Sequence, residues 1–351
     1  MRMDTITWEV IRIIVLAFAC FFVAFVSTPL VVRLLRKYKM GKSIRDEKTA
    51  PIMSKLHAAK SGTPSMGGVV IWGSVLIVVG SLWLICLIWN VEPWCSWNIL
   101  SRSQTFVPFG AMMAAALIGL VDDYFNVKKI GPRGGGLRKR HRLLAYTSIA
   151  AICAWWFYAK LDWSTIHIPF DGNLELSWFY IPFFIFIIVA TSFSVNETDG
   201  LDGLAGGTLM AAFGAYGAIA FMQGRMDLAA FCAAIIGALL AFLWHNINPA
   251  AFFMGDTGAM ALGTTLGIIA MLTNQPLLLP IIGLPFVVES VSVIIQMFSK
   301  KLRKGKKVFQ SSPLHHHFEA IGWGEPKIVM RFWIVSFIFA VLGVLINMID
   351  K

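Results

Sequence analysis

The stretch Asn196-Glu197-Thr198-Asp199-Gly200-Leu201-Asp202-Gly203-Leu204 places three carboxylates and two glycines within nine residues. An almost purely apolar run precedes it from Phe179 to Val195, and another follows it from Ala205 to Met222. Carboxylates are costly near a bilayer, so acids between two apolar spans need a functional reason. The stretch therefore predicts a junction between two transmembrane helices at which a site is built.

The composition extends this prediction to the whole chain. Of its 351 residues, 57% are hydrophobic and only 14% are charged, which is far more apolar than an ordinary soluble domain. Long apolar runs recur along the sequence, and the loops between them are too short for an independent core. We expect one polytopic membrane domain over residues 1–351, an all-α integral membrane protein with about ten transmembrane helices.

Ten apolar runs have the length of about 17–25 residues that a bilayer requires. They cover Glu9–Val32, Met66–Asn90, Phe106–Val121, Leu143–Lys160, Phe179–Val195, Ala205–Met222, a run ending near Asn246, a run following Thr257, Leu277–Ser299 and a run ending at Asp350. The ninth contains Pro280 and Pro285, which predict a kinked or broken helix. In the polar segment Leu161–Ser177, apolar and polar residues alternate around Ile166-His167-Ile168. This alternation predicts a small hairpin.

The net charge of +11 has a topological explanation. Most of the 30 Lys and Arg residues lie in three loops, 33–62, 122–142 and 300–330, which fall on one side of the membrane if ten spans alternate. The positive-inside rule places these loops and the acidic stretch in the cytoplasm and both termini outside. Nucleic acid is therefore not an expected partner, and many of these cations serve only topology and contact with anionic lipid headgroups.

The five cysteines, Cys20, Cys86, Cys95, Cys153 and Cys232, show no paired or metal-ligand spacing. Four of them lie in apolar runs and are expected to act as small hydrophobic residues. We therefore expect no disulfide framework.

Five polar features converge on the predicted cytoplasmic face. They are Asp122-Asp123, the opening stretch, the loop from Asn246 to Asp256, the segment from Lys60 to Gly68, and His315-His316-His317. Each alone is also typical of a solvated helix end or a helix cap. Asp199 and Asp202, three residues apart, would share a face if they lay on a helix, which Thr198 or Asn196 could cap.

Several carboxylates beside many cations indicate a divalent metal ion bound together with phosphate. Carboxylate oxygens suit Mg²⁺, which shares its coordination shell with water and substrate phosphates. Phosphoryl transfer depends mainly on positioning and charge neutralisation, and this set of groups supplies both. The absence of a Walker motif argues against a nucleotide-driven pump.

These motifs, in this order, resemble the polyprenyl-phosphate N-acetylhexosamine-1-phosphate transferase superfamily. The similarity rests on the opening stretch, Asp122-Asp123-Tyr124, Phe253-Met254-Gly255-Asp256 and His315-His316-His317-Phe318-Glu319, and it spans about Lys60 to Arg331. Gly62-Thr63-Pro64-Ser65-Met66-Gly67-Gly68 and Pro313-Leu314-His315-His316-His317 favour the branch that handles phospho-MurNAc-pentapeptide.

The resemblance implies a homodimeric ten-helix bundle of the bacterial inner membrane with a cytoplasmic cleft. It implies Mg²⁺-dependent transfer of phospho-MurNAc-pentapeptide from its UDP form to undecaprenyl phosphate, giving lipid I and UMP. Asp256 would be the main Mg²⁺ ligand with Asp122 and Asp123 beside it, and these three residues and His315 would be catalytic. Residues that would face the substrate are Lys60, Ser65, Asn196, Asp199, Asp202, Asn246, Phe253, Gly255, Gln296, His315 and His316.

Two positions depart from the family pattern: Glu197 stands where Leu is usual, and Arg142 stands where Lys is usual. Arginine keeps the charge but binds phosphate as a fork, so the exchange is not equivalent.

The sequence is also compatible with two other functions. A UDP-GlcNAc:polyprenyl-phosphate transferase would use the same motifs with another sugar. A transporter or lipid flippase would explain the broken ninth helix and the intramembrane Glu289.

Overall fold

The computed structural model describes residues 4–41, 60, 62–90, 92, 94–100, 103–131 and 135–350. Most of the first basic loop and residues 132–134 of the second lie outside these described residues. The helices are α1 Thr5–Lys37, α2 Gly68–Trp89, α3 Ser103–Val127, α4 Lys139–Lys160, α5 Tyr180–Thr198, α6 Leu204–Met222, α7 Met226–Asn246, α8 Gly255–Leu272, α9 Leu279–Ile282, α10 Leu284–Leu302, α11 Leu314–Ala320 and α12 Glu325–Ile349.

The predicted all-α membrane fold is confirmed. Within the described ranges, eight helices are long and apolar enough to span a membrane, and a bent pair makes a ninth. This pair joins Pro276–Ile282 to Leu284–Leu302 at an angle of 83°, so the predicted break in the ninth span is also confirmed. The predicted fourth span corresponds to α4, whose first turn is strongly basic and which is not among those eight.

Helix α8 occupies the centre of the bundle. In its most apolar window 94% of the residues are buried, against 22% for α1 and 17% for α12. Glycines let neighbouring backbones approach it closely, since a Cβ atom on Gly68 would lie 2.3 Å from the Cα atom of Gly258. A Cβ atom on Gly119 would lie 2.5 Å from the carbonyl oxygen of Asp256. The first turn of α8 is therefore fixed between α2 and α3.

The predicted hairpin is confirmed as two antiparallel strands, β1 Thr165–Ile168 and β2 Gly172–Glu175, with Ile166 opposite Leu174. His167 Nε2 lies 2.6 Å from a carboxylate oxygen of Asp350, whose other oxygen accepts the Phe170 N–H. Burial alone would raise the pKa of the Asp350 carboxyl. The two hydrogen bonds outweigh this effect and hold the pKa below its usual value. The hairpin is thereby tied to the end of α12.

The expectation of no disulfide is wrong at one pair. Cys86 and Cys95 form a disulfide with a Cα–Cα distance of 4.9 Å, while Cys20, Cys153 and Cys232 are buried free thiols. Cys86 lies in the last turn of α2 and Cys95 in a short 3₁₀ turn, Trp94–Trp97, which folds back against that helix end. The carbonyl of Ser96 in this turn also accepts a hydrogen bond from buried Arg12. Sequence spacing alone does not reveal this return of the chain.

Candidate active site

The acidic stretch connects α5 to α6 and is only partly helical. Helix α5 continues through Thr198, and α6 begins at Leu204 after Gly203, whose φ of +80° lies in the left-handed region. Asp199 and Asp202 are therefore in the connecting turn, and the prediction that they share a helical face is wrong. Asn196 and Thr198 likewise end one helix and do not cap the next. The turn is held by the Gly203 N–H, which donates to Asn246 Oδ1 at 2.9 Å.

Asp122 and Asp256 meet around one cation at the ends of α3 and α8. Arg142, in the first turn of α4, places Nε 3.3 Å from Asp122 Oδ2 and Nη1 3.2 Å from Asp256 Oδ2. Its Nη2 donates to Asn196 Oδ1 at 2.7 Å, and Asn196 Nδ2 donates to Asp256 Oδ1 at 2.6 Å. Four segments thus converge on one group of polar side chains, the acid cluster, which consists of Asp122, Arg142, Asn196 and Asp256.

Asp123 and Asp199 hold the N-terminus of α8 from two sides. Asp123 accepts the N–H groups of Asp256 and Thr257 at 3.1 and 3.0 Å, one on each carboxylate oxygen. Asp199 accepts the N–H of Gly255 at 3.1 Å. Carboxylates are favourable at a helix N-terminus because they satisfy its free N–H groups and oppose the helix dipole. Asp256 is consequently presented at a rigid position.

Gly255 permits this geometry because its φ is +76° and no side chain would fit. A Cβ atom there would lie 2.5 Å from Asp123 Oδ2 and 3.0 Å from Ser65 Oγ. Ser65, which is 4% exposed, is fixed by its own N–H donating to the Met40 carbonyl. The structure therefore brings Ser65 and Gly255 directly beside the acid cluster.

The donor set of the cluster is compatible with Mg²⁺. In the part of the chain that the structure describes, no three His, Cys, Asp or Glu side chains are grouped closely enough to hold a metal ion by themselves. Asp122 and Asp256 nevertheless both direct a carboxylate oxygen at the same cation, the Arg142 guanidinium. Mg²⁺ commonly takes one or two protein carboxylates and completes its shell with water and substrate phosphates. Asp123 is less suited, because both its oxygens accept backbone N–H groups.

A second polar group lies at the loop that precedes α8. Lys60 Nζ is 2.7 Å from Asp202 Oδ1 and 2.5 Å from Glu325 Oε1, and it lies 5.9 Å from the centre of the Phe253 ring. Asn246 fixes the adjoining loop, because its Nδ2 donates to the Phe252 carbonyl at 2.7 Å. The predicted substrate residues Lys60, Asp202, Asn246 and Phe253 are therefore brought together.

The first two histidines of the run on α11 each pair with a carboxylate. His315 and Glu289 are both fully buried, with Nδ1 3.0 Å from Oε2, and the His315 N–H reaches both carboxylate oxygens at 3.2 and 3.3 Å. The Nδ1 distance fits a hydrogen bond but the angle does not, so the backbone N–H makes the better contact. His316 Nδ1 lies 2.8 Å from Glu319 Oε2.

His315 packs against the turn between α5 and α6 at residues 199–203, the acidic turn. A Cβ atom on Gly200 would lie 2.1 Å from the Nε2 atom of His315. Gln296 is engaged elsewhere: its side chain binds the backbone of Val308 and Phe309, bracing the loop between α10 and α11. Both residues are buried, with His315 0% and Gln296 3% exposed.

Two residues of the site were not among the sequence predictions. The sequence marks Arg142 only as a departure from the family pattern, and it does not mark Glu325 as a site residue. An acid that opens an apolar helix is typical of a simple cap, so no local signal marked Glu325. The partners of Glu325, Lys60 and the turn at Asp202, are distant in sequence and meet it through the approach of α12.

Two family models and several curated relatives match the sequence of this chain. Residues 105–274 match the model of glycosyl transferase family 4, and residues 60–71 match a phospho-N-acetylmuramoyl-pentapeptide-transferase signature. A phospho-N-acetylmuramoyl-pentapeptide-transferase of Geobacillus thermodenitrificans is 42% identical, with 96% of this chain and 98% of the relative covered. The enzyme of the same name from Bacillus anthracis is 42% identical over 95% and 98%, and that of Listeria welshimeri 40% over 92% and 94%.

The two family models cover segments of both polar groups of the site. The signature begins at Lys60, and the larger match contains Asp122, Arg142, Asn196 and Asp256. Because relatives of about 42% identity cover nearly the whole chain, the match is not confined to a motif. The chain belongs to the phospho-N-acetylmuramoyl-pentapeptide-transferase family.

Proposed function

We propose that the chain transfers phospho-MurNAc-pentapeptide from UDP-MurNAc-pentapeptide to undecaprenyl phosphate, forming lipid I and UMP in the first membrane step of peptidoglycan synthesis. The observation that carries this proposal is the convergence of Asp122, Arg142, Asn196 and Asp256 at the start of the buried helix α8. Family membership supports the same reaction, because the relatives bear the name of this activity.

In the proposed reaction an oxygen of the lipid phosphate attacks the sugar-bearing phosphorus of the UDP-sugar. A new P–O bond forms, the bond to the bridging oxygen breaks, and UMP leaves with the electron pair of that bond. Such a transfer is accelerated mainly by positioning and by fixed charges near the phosphates. Arg142 supplies a positive fork beside Asp122 and Asp256, while Asp123 and Asp199 keep α8 in place.

We further propose that Asp122 and Asp256 hold Mg²⁺ with the substrate diphosphate. The ion would neutralise phosphate charge and orient the diphosphate. Asp123 would act by fixing the N-terminus of α8, because both its oxygens already accept backbone N–H groups. The nucleoside would lie at Lys60, Asp202, Asn246 and Phe253, where uracil would stack on the Phe253 ring.

The lipid substrate would enter along the bend between α9 and α10. An apolar groove of about 250 Å³ lies there, lined by Leu284, Pro285 and Val288 on one side and by α11 and α12 on the other. Arg331 also lines it, with its guanidinium carbon 4.4 Å from the centre of the Trp323 ring. The apolar groove would hold a polyprenyl chain, and the Arg331 guanidinium would attract the phosphate that this chain carries.

The site would face the cytoplasm, as the basic loops indicate, and the enzyme would work as a homodimer in the inner membrane. Two alternatives are weaker. A UDP-GlcNAc transferase would share the cluster, but the signature at residues 60–71 favours the MurNAc-pentapeptide substrate. A flippase would explain an intramembrane acid, but Glu289 is already paired with His315.

The test is UMP release by the purified protein with undecaprenyl phosphate, UDP-MurNAc-pentapeptide and Mg²⁺. We expect release that requires the metal and that falls at least about 100-fold in Asp256→Ala, since this variant loses a proposed Mg²⁺ ligand beside the reacting phosphates. No release by the wild-type chain, or undiminished release by Asp256→Ala, would refute the proposal.

A further inference from the structure

Glu325, the first residue of α12, contacts three other segments of the chain. Its Oε1 accepts hydrogen bonds from Lys60 Nζ at 2.5 Å and from the Asp202 N–H at 2.7 Å. Its Oε2 accepts one from Asn248 Nδ2 at 3.1 Å. Both carboxylate oxygens thus bind segments outside α12, so the residue does more than begin its own helix.

Asp202 completes the same network from the acidic turn. Its Oδ1 accepts from Lys60 Nζ at 2.7 Å, and its Oδ2 accepts from Asn248 Nδ2 and the Ala250 N–H at 3.1 Å each. Asp202 and Glu325 are largely buried, with side chains 2% and 13% exposed, and Lys60 is 18% exposed. Charge-assisted hydrogen bonds shielded from water are stronger than neutral ones, so this network holds its segments in a fixed arrangement.

The network fixes the parts to which the nucleoside would bind. Asn248 and Ala250 lie in the loop that leads to Phe253, and Lys60 lies 5.9 Å from the Phe253 ring centre. Asn246, two residues before Asn248, holds the Gly203 N–H and the Phe252 carbonyl. Glu325 is therefore placed to set the relative position of Lys60, the acidic turn and the loop that carries Phe253.

We propose that Glu325 is a positioning residue for nucleotide binding, acting through Lys60, Asp202 and Asn248. The proposal rests on the transferase function proposed above and adds a residue on α12 to it. Glutamine at this position is nearly isosteric but presents one oxygen and one NH₂ group. In either orientation the NH₂ group faces another donor, either Asn248 Nδ2 or the pair Lys60 Nζ and Asp202 N–H. At least one hydrogen bond of the network is therefore lost.

The experiment compares Glu325→Gln, Glu325→Asp and a matched control, Glu175→Gln. Glu175 is an exposed residue of the hairpin. Within the described ranges, its carboxylate makes one hydrogen bond, which it accepts from the nearby Ser177 N–H. For Glu325→Gln we expect the KM for UDP-MurNAc-pentapeptide to rise about tenfold or more, with kcat changed less than about threefold. The KM for undecaprenyl phosphate should stay near wild type. Glu325→Asp, which keeps the charge, should recover part of the loss, and Glu175→Gln should behave as wild type.

A nucleotide KM within about twofold of wild type in Glu325→Gln would overturn the proposal, as would a joint fall of kcat and melting temperature without a KM change. Calorimetry with the same nucleotide separates this result from the transferase assignment. If the wild-type chain binds the nucleotide but releases no UMP, the transferase proposal fails. The ratio of dissociation constants between Glu325→Gln and wild type then decides the role of Glu325.

Discussion

At the scale of single residues, the site depends on charges that are shared between helices. Arg142 contacts Asp122, Asp256 and Asn196 at once, and a lysine ammonium cannot reproduce the planar geometry of this fork. The arginine at this position is thus a determinant of how the two aspartates are held, and not merely a charge-conserving exchange.

We predict that Arg142→Met lowers kcat for UMP release by at least about 100-fold, because two carboxylates lose their common cation beside the phosphates. Arg142→Lys should retain intermediate activity. Arg140→Met is the control, since Arg140 is an exposed arginine in the same helical turn. Equal activity in Arg142→Met and Arg140→Met would contradict the role assigned to Arg142.

Gly200 is a second residue whose identity follows from its neighbour. Its missing side chain leaves room for the buried His315 ring, which Glu289 holds from the other side. We predict that Gly200→Ala destabilises the protein by about 1–3 kcal/mol, the usual cost of overpacking, as a lower melting temperature in detergent.

Gly214→Ala is the control for that substitution, because among the described residues nothing beyond the adjacent backbone of its own helix lies within 4 Å of the Cβ position at this glycine. His315→Ala should relieve the effect of Gly200→Ala in a double-mutant cycle. If both alanine variants at glycine melt alike, the packing account of Gly200 is wrong.

At the scale of elements, the helices were predictable and the turns between them were not. Apolar runs of bilayer length mark the spans, and Pro280 and Pro285 mark the break between α9 and α10. The conformation of residues 199–203 could not be foreseen, because it is set by Asn246 and by the N-terminus of α8, which are distant in sequence. The pairing of Glu325 with Lys60 and the Cys86–Cys95 disulfide are long-range or loop-dependent in the same way.

The bend itself carries a prediction about the lipid substrate. Val288 lines the groove beside the bend, whereas Val291 on the same helix is 44% exposed and is not a lining residue of the groove. We predict that Val288→Trp raises the KM for undecaprenyl phosphate several-fold by filling the groove, and leaves the nucleotide KM unchanged. Val291→Trp is the matched control and should change neither value. Equal increases for both substrates in Val288→Trp would argue against this entry path.

At the scale of the whole molecule, the two ends of the bundle differ in chemistry. Helix α2 starts beside the acid cluster at Gly68 and ends at the Cys86–Cys95 disulfide, so the disulfide lies at the opposite end. Disulfides persist in oxidising compartments. The proposed orientation, with the site facing the cytoplasm, would place this disulfide on the oxidising side of the membrane.

Cysteine labelling in intact cells tests this orientation. Among the native cysteines, three are buried and two are disulfide-bonded, so the background should be low. We predict that Asp171→Cys, in the exposed turn of the hairpin, reacts with a membrane-impermeant maleimide, and that Lys306→Cys reacts only after the cells are opened. The reverse pattern would place the acid cluster outside and would exclude a cytoplasmic nucleotide substrate.

The central claim is that this acid cluster transfers a phospho-sugar from a nucleotide to a lipid phosphate. The most direct measurement offers UDP-MurNAc-pentapeptide and UDP-GlcNAc together, with undecaprenyl phosphate and Mg²⁺, and determines the mass of the lipid product. The account predicts one product, undecaprenyl phosphate extended by phospho-MurNAc-pentapeptide, formed in equal amount to UMP and lost in Asp256→Ala. A product that carries GlcNAc-1-phosphate, or no lipid product at all, would contradict it.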